Sequence, residues 1–194
     1  GREPRPQESI AAGADLALFS GDKLLGGPQV GIIVGRREII ERLKKHPLTR
    51  AVRIDKVRLA ALTATLVHYL KGEAVSKIPV WRMIAMPLDE IERRAEQWAR
   101  EIGGEAHMES GDSAIGGGSL PGATLPTRLV VIPMRGETKV QKAAHLLRQQ
   151  SPPIIARIEK NALVFDPRTV SEKDDSTVKE ALRSIVGELR ARGT

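Results

Sequence analysis

The sequence predicts an α/β protein in which the end of a sheet-containing domain is followed by a small α+β domain. Two short apolar runs, residues 14–19 and 30–35, flank a loop rich in Gly and Pro, which is typical of two strands joined at a sheet edge. Beyond residue 79, amphipathic helical stripes alternate with short apolar runs. We therefore divide the chain into residues 1–54, a connecting helix at 55–78 and a second domain at 79–194.

The first part of the chain contains two strands and two helices in this interpretation. Both apolar runs are expected to be buried strands, and a helix follows from Arg36 to Lys45. The pair His46 and Pro47 should end that helix, because proline lacks an amide hydrogen. Residues 48–54 are then expected to be extended. Asp55 is a suitable N-cap for a helix that runs to Lys71, where Gly72 provides a stop.

The second part interleaves three helices with short strands. An apolar residue every three or four positions predicts a helix at 88–102, with acidic residues in its first turn. The other expected elements, in chain order, are a strand at 105–109, a glycine-rich loop at 110–127, a strand at 129–132, a helix at 138–149, strands at 154–158 and 162–166, and a helix at 176–192.

Composition limits the function without naming it. The 194 residues include 31 Lys and Arg against 24 Asp and Glu, a net charge of +7. That excess suits a polyanion such as RNA, although many soluble domains are equally basic. Aromatic residues make up only 3%, which argues against stacking of single-stranded bases. Cysteine is absent and the four histidines are scattered, so neither a disulfide nor a zinc site is expected.

The ends of the sequence and its hydropathy bear on where the protein works. No apolar run approaches the ~20 residues that span a bilayer, and the polar start has no secretory signal. We therefore expect a soluble cytoplasmic protein. The chain does not begin with methionine and its first strand comes early, so we also expect it to be a portion of a longer protein.

The loop between the two apolar runs carries the first candidate for chemistry. Ser20 and Lys23 form a Ser-x-x-Lys pattern at the end of a strand, followed by Gly26 and Gly27. Glycines allow tight turns and the close approach of a ligand. A partly desolvated lysine can be a Schiff-base nucleophile, and the serine hydroxyl could bind a phosphate. The pattern alone is equally compatible with an ordinary surface lysine.

A longer stretch of sequence around Lys23 favours a cofactor-binding lysine over an ordinary surface lysine. Residues 19–35, FSGDKLLGGPQVGIIVG, closely resemble the cofactor-lysine segment of the bacterial selenocysteine synthases, the L-seryl-tRNA(Sec) selenium transferases. The resemblance extends to QESIAAGAD at 7–15 and HPLTRAVRIDK at 46–56. It resumes at GGGSLPG (116–122), PIIARIE (153–159) and DPRTV (166–170). These blocks follow the expected order over nearly the whole chain.

The resemblance implies a fold, a cofactor and a reaction. The fold would be the end of a fold-type I large domain followed by the small C-terminal domain. Lys23 would hold pyridoxal 5'-phosphate and act as the base, with Ser20 at the cofactor and Asp22 orienting the lysine. Seryl-tRNA(Sec) would be converted to selenocysteinyl-tRNA(Sec). Selenophosphate, an anion, would be bound by Arg50 and Arg53.

The resemblance also implies partners and an incomplete site. Family members are homo-oligomers built from dimers, and the remaining cofactor contacts and a tRNA-binding region come from earlier in such chains. We therefore expect this piece to be inactive alone. Two alternatives stay open: another fold-type I pyridoxal-phosphate lyase or desulfurase that acts on a small amino acid, and a non-catalytic half that binds tRNA or serves as a scaffold.

Overall fold

The chain folds into two compact units, each with its own helices and strands. The computed structural model describes residues 4–116 and 122–191. One unit comprises Gly1–Ala85 with Ile115–Ala123, and the other comprises Met86–Ala114 with Thr124–Thr194. The division after Ala85 lies one short helix beyond the boundary expected at residue 79.

The first unit is a β-hairpin followed by a series of helices. In chain order its elements are α1 (Pro6–Ala11), β1 (Leu16–Ser20), β2 (Gly31–Gly35), α2 (Arg37–Lys45), α3 (Pro47–Ala51), α4 (Lys56–Leu70), α5 (Ala74–Lys77) and α6 (Pro79–Ala85). The strands β1 and β2 pair antiparallel, with Leu16 opposite Gly35 and Ser20 opposite Gly31. The carboxylate of Asp55 caps α4 by accepting from the amides of Val57 and Arg58, both at 2.9 Å, as predicted.

Two expectations for this unit were wrong. Residues 48–54 are not extended throughout, because α3 occupies Pro47–Ala51. Proline stops a preceding helix, but at a first helical position its fixed φ favours a new one. The strand β1 is also not buried in this chain, since the side chain of Leu18 is 69% exposed.

The second unit is a four-stranded antiparallel sheet covered by helices. Its elements are α7 (Leu88–Ile102), β3 (His107–Ala114), β4 (Thr124–Pro133), α8 (Glu137–Arg148), β5 (Arg157–Glu159), β6 (Ala162–Phe165) and α9 (Asp175–Ala191), with 3-10 turns at Pro167–Thr169 and Glu172–Asp174. The strand order is β3-β4-β6-β5. Trp98, Val130, Leu147, Leu163 and Leu182 are among the fully buried residues of the core between sheet and helices.

The glycine-rich stretch expected as a loop at 110–127 is largely strand. Ser110 pairs with Arg128 and Ala114 pairs with Thr124, so the hairpin of β3 and β4 extends through both sides of the stretch. A side chain at Gly111 would require Leu129 on the neighbouring strand to move, because an added Cβ would lie 2.4 Å from Cδ1 of that leucine. Residues 117–121 of the GGGSLPG block lie outside the described residues.

One buried ion pair joins the first and last helices of the second unit. The guanidinium of Arg94, 1% exposed, donates to both carboxylate oxygens of Asp175 at 3.1 and 2.5 Å, and to the carbonyl of Val170 at 2.9 Å. The same guanidinium lies 6.0 Å from the ring centroid of Trp98. No helix among the described residues is long and apolar enough to cross a membrane.

Candidate functional site

The lysine loop, residues 21–30, is the turn of the β1–β2 hairpin. Its base is closed by a hydrogen bond from the amide of Gly21 to the carbonyl of Val30 at 2.8 Å. Within it, the amide of Gly27 donates to Gly21 O at 2.8 Å, and the amide of Gly26 donates to Lys23 O at 2.9 Å. These backbone bonds fold the loop back on itself and leave Lys23 on its outer side.

Lys23 and Asp22 contact each other through their side chains. The ammonium Nζ of Lys23 lies 3.4 Å from Oδ2 of Asp22, with side chains 49% and 28% exposed. At this exposure the pair is worth at most about 1 kcal/mol, so its main effect is on orientation. Ser20 ends β1 and is exposed. The amine of Lys23 is therefore accessible to a ligand from solvent, and one carboxylate lies beside it.

Glycines let the lysine loop lie directly against the helices that follow it. Gly26 has φ +73°, and a Cβ there would be 2.3 Å from Cγ2 of Ile78, a buried residue between α5 and α6. A Cβ on Gly27 would lie 3.4 Å from the hydroxyl of Thr65 on α4. Position 26 therefore favours glycine for two reasons: its backbone is left-handed, and Ile78 lies too close for an added side chain.

Two aromatic side chains support the loop immediately after Lys23. The hydroxyl of Tyr69, on α4, donates to the carbonyl of Leu25 at 2.9 Å and lies 3.3 Å from that of Leu24. The indole Nε1 of Trp81, on α6, donates to the same hydroxyl at 2.6 Å. Burial raises the pKa of Tyr69, while the bond from Trp81 opposes that shift. Sequence patterns did not indicate these residues, because they are 44 and 56 positions beyond Leu25.

The two predicted anion-binding arginines lie on and just after α3. Arg50 is in the last turn of α3, and Arg53 is in the link between the C-cap Val52 and the N-cap Asp55. Both are exposed. Neither forms an ion pair or a side-chain hydrogen bond with any described residue, Asp22 and Lys23 included. Of the predicted site residues, all of which the structure describes, only Asp22 and Lys23 form an ion pair or side-chain hydrogen bond with each other.

The second unit holds a separate candidate, a groove of about 650 Å³ lined by residues that include Ser113, Arg157, Asp166 and Asp174. The carboxylate of Asp166 accepts from the hydroxyls of Ser113 and Thr127 at 2.5 and 2.9 Å. Arg168, 5% exposed, donates to Ser113 Oγ at 3.0 Å and to the carbonyl of Pro126 at 2.6 Å. These polar groups hydrogen-bond to one another and connect β3, β4 and the 3-10 turn after β6, which accounts for their burial. The described residues include no group of side chains that could hold a metal ion.

Comparison with known proteins places the chain among relatives of similar sequence. The family model described as L-seryl-tRNA selenium transferase matches residues 1–171. The L-seryl-tRNA(Sec) selenium transferase of Carboxydothermus hydrogenoformans is 43% identical over 192 residues, covering 96% of this chain. The one of Geotalea daltonii is 44% identical over 191 residues, covering 95%. The chain spans 41% of the length of each of these curated relatives.

A solved structure agrees at the level of the fold. The structure of D-glucosaminate-6-phosphate ammonia-lyase superimposes with a TM-score of 0.58 and 20% sequence identity. The match covers 93% of this chain and 46% of that one. Since the family model extends over most of the sequence, the lysine loop included, the chain belongs to the L-seryl-tRNA selenium transferase family.

Proposed function

We propose that this chain is the C-terminal part of an enzyme that converts seryl-tRNA(Sec) to selenocysteinyl-tRNA(Sec) with selenophosphate and pyridoxal 5'-phosphate. The observation that carries the proposal is the position of Lys23, whose amine is accessible on a glycine-rich turn. Tyr69 hydrogen-bonds to the backbone of that turn, and Trp81 hydrogen-bonds to Tyr69. Membership of the selenium transferase family supplies the reaction. In this proposal the first unit ends a fold-type I large domain, and the second is the small C-terminal domain.

The residues of the loop fit a cofactor that carries an aldehyde and a phosphate. Lys23 supplies the amine, and Ser20 supplies an exposed hydroxyl at the end of the neighbouring strand. The absence of side chains at Gly26 and Gly27 lets the loop lie close to the helices instead of projecting away. Bound pyridoxal phosphate would supply an electron sink for the carbanion at the substrate Cα.

Lys23 would carry the proton in the proposed reaction. Its Nζ, once free, would take the Cα proton of the seryl group and return it to the departing serine hydroxyl, which would leave as water. Asp22, with Oδ2 at 3.4 Å, holds the amine toward one side of the loop.

Arg50 and Arg53 would bind selenophosphate. Both guanidinium groups lack an acidic partner among the described residues, so their charge remains available to an anion. Arginine suits the task because its planar fork can donate two parallel hydrogen bonds to phosphate oxygens. Arg50 lies on α3 and Arg53 lies in the following link, so the two guanidinium groups are attached to different backbone elements.

The partners and assembly follow from the same proposal. The full-length protein would bind seryl-tRNA(Sec), act in the cytoplasm and assemble as a homo-oligomer built from dimers. The two rival functions differ in measurable ways. A lyase or desulfurase would act on a free small amino acid, whereas a non-catalytic half would bind tRNA with no dependence on Lys23.

The test uses the full-length holoenzyme and two readouts. After borohydride reduction, peptide mass spectrometry should find the pyridoxyl group on Lys23 in the wild type. Lys23→Arg, which preserves the charge, should abolish both this label and selenium transfer to seryl-tRNA. Arg50→Gln and Arg53→Gln should retain the label and raise KM for selenophosphate, while Arg100→Gln in the second unit changes neither. Labelling of a different lysine, or turnover of free serine in place of seryl-tRNA, would refute the proposal.

A further inference from the structure

Nearly all of the excess positive charge of the chain lies in one stretch, residues 36–58. This stretch contains nine Lys and Arg against three acids, Glu38, Glu41 and Asp55, a net charge of +6 out of the +7 of the whole chain. The remaining residues hold 22 cationic and 21 acidic side chains and are almost neutral. The charge is therefore a property of α2, α3 and the start of α4, not of the protein as a whole.

Local ion pairs account for all three acids of this stretch and leave most of its cations without an ion-pair partner among the described residues. Glu41 pairs with Lys44 at 2.8 Å, Asp55 with Arg58 at 2.8 Å, and Glu38 with Arg36 at 3.8 Å. Six cations are exposed and form no ion pair with a described residue: Arg37, Arg42, Lys45, Arg50, Arg53 and Lys56. Like charges at this density repel one another, so a polyanion bound across them would relieve the repulsion.

Three of these cations share the solvent side of α2. At about 100° per residue, Arg37, Arg42 and Lys45 fall within an arc of about 140°. That arc is opposite the apolar side formed by Ile39, Ile40 and Leu43. The helix therefore presents its cations together, in the arrangement that a row of phosphates requires.

We infer that the exposed cations of α2 and Lys56 form a docking surface for the phosphate backbone of a tRNA, an inference that rests on the proposed function. Two of the four cations of this surface, Arg37 and Arg42, are arginines, which can bind phosphate oxygens in pairs. The chain has only 3% aromatic residues, so bases have few side chains on which to stack. The surface thus fits a base-paired stem, whose sugar-phosphate backbone is its accessible feature. Arg50 and Arg53 remain assigned to selenophosphate.

Salt dependence of binding tests this surface directly. The triple variant Arg37→Gln, Arg42→Gln, Lys45→Gln removes three cations and keeps a good helix former at each position. In the full-length holoenzyme, binding of a tRNA(Sec) transcript should show a slope of log affinity against log salt that is reduced by about 2 to 3. The matched control Arg100→Gln, Lys142→Gln, Arg148→Gln removes three exposed cations from the second unit and should leave the slope unchanged.

The outcomes separate this inference from the proposed function. Both triple variants should keep the borohydride-trapped label on Lys23, because none of their residues contacts the lysine loop. An unchanged slope in the α2 variant, with a labelled Lys23, overturns the docking surface alone. A changed oligomer size by sedimentation with an unchanged slope also overturns it, since an acidic surface of the same enzyme would then be the occupant. A wild type that neither labels Lys23 nor binds tRNA refutes the proposed function itself.

Discussion

The hydroxyl of Tyr69 accepts a hydrogen bond from the indole of Trp81 at 2.6 Å and donates one to the carbonyl of Leu25, two residues after Lys23. One oxygen thereby connects α4, α6 and the lysine loop. This oxygen holds the backbone of the loop together with the amide bonds of Gly21, Gly26 and Gly27. The exposed side chain of Lys23 forms an ion pair only with Asp22 among the residues that the structure describes.

Tyr69→Phe should destabilise the first unit by about 1–3 kcal/mol, because it leaves both the Trp81 donor and the Leu25 carbonyl without a partner. Unfolding of the 194-residue chain in urea measures the change. The single variants Tyr69→Phe and Trp81→Phe and their double variant form a cycle. A coupling free energy near zero would show that the two side chains contribute independently, contrary to this geometry.

The stability of the first unit should fall at high pH through the same residue. Burial raises the pKa of Tyr69 above its usual value near 10, so the folded state favours the protonated phenol. The stabilisation is fully present below pH ~10 and is lost as the pH rises through the higher pKa of the folded state. Tyr69 is the only tyrosine of the chain, so tyrosinate absorbance follows it directly. The advantage in urea midpoint of wild type over Tyr69→Phe should shrink across this range, and a constant difference would contradict the assignment.

Gly26→Ala should be more harmful than a glycine change with the same backbone strain. Gly26 and Gly72 have φ of +73° and +70°, but an added Cβ meets Ile78 at 2.3 Å only at Gly26 and meets nothing within 4 Å at Gly72. Gly72→Ala should cost about 1–2 kcal/mol for the left-handed conformation. Gly26→Ala should cost about 1–3 kcal/mol more for the overlap. Equal losses in urea unfolding would mean that the loop does not pack against Ile78.

Asp175→Ala should destabilise the second unit by about 3–5 kcal/mol, since it leaves the guanidinium of Arg94 buried without its carboxylate. The control is Glu105→Ala, which removes an exposed pair with Arg135 at 3.8 Å and should cost about 0–1 kcal/mol. Thermal unfolding of both variants gives the comparison. A loss of less than 1 kcal/mol for Asp175→Ala would show that water reaches Arg94.

Local rules predicted the elements whose causes are local. The N-cap at Asp55 depends on one side chain and two nearby amides, and the stripe of α7 depends on spacing alone. The helix at Pro47–Ala51 was missed because the same proline both ends α2 and begins α3. The extent of β3 was missed because a glycine such as Gly111 usually indicates a loop. Here it lies close to Leu129 on the neighbouring strand, a contact that the sequence does not show.

For the candidate site, the sequence suggested residues that are close together in the chain, and their roles stay predictions. Lys23, Asp22 and Ser20 are close in sequence, so a short string contains them. Tyr69 and Trp81 support the loop across long sequence separations, and no local pattern marks such contacts. The sequence also did not show that several cations of α2 form no ion pair within the described part of the chain, since the net charge does not show which acids are already engaged in ion pairs.

The closure of the lysine loop has an energetic consequence. Its turn is held by amide bonds from Gly21, Gly26 and Gly27 and by the phenol of Tyr69, all within the first unit. The backbone entropy of ordering these ten residues is therefore lost when the chain folds, and a ligand that binds at Lys23 does not lose it again. The loop is preorganised, so the affinity of a ligand there depends on the stability of its scaffold.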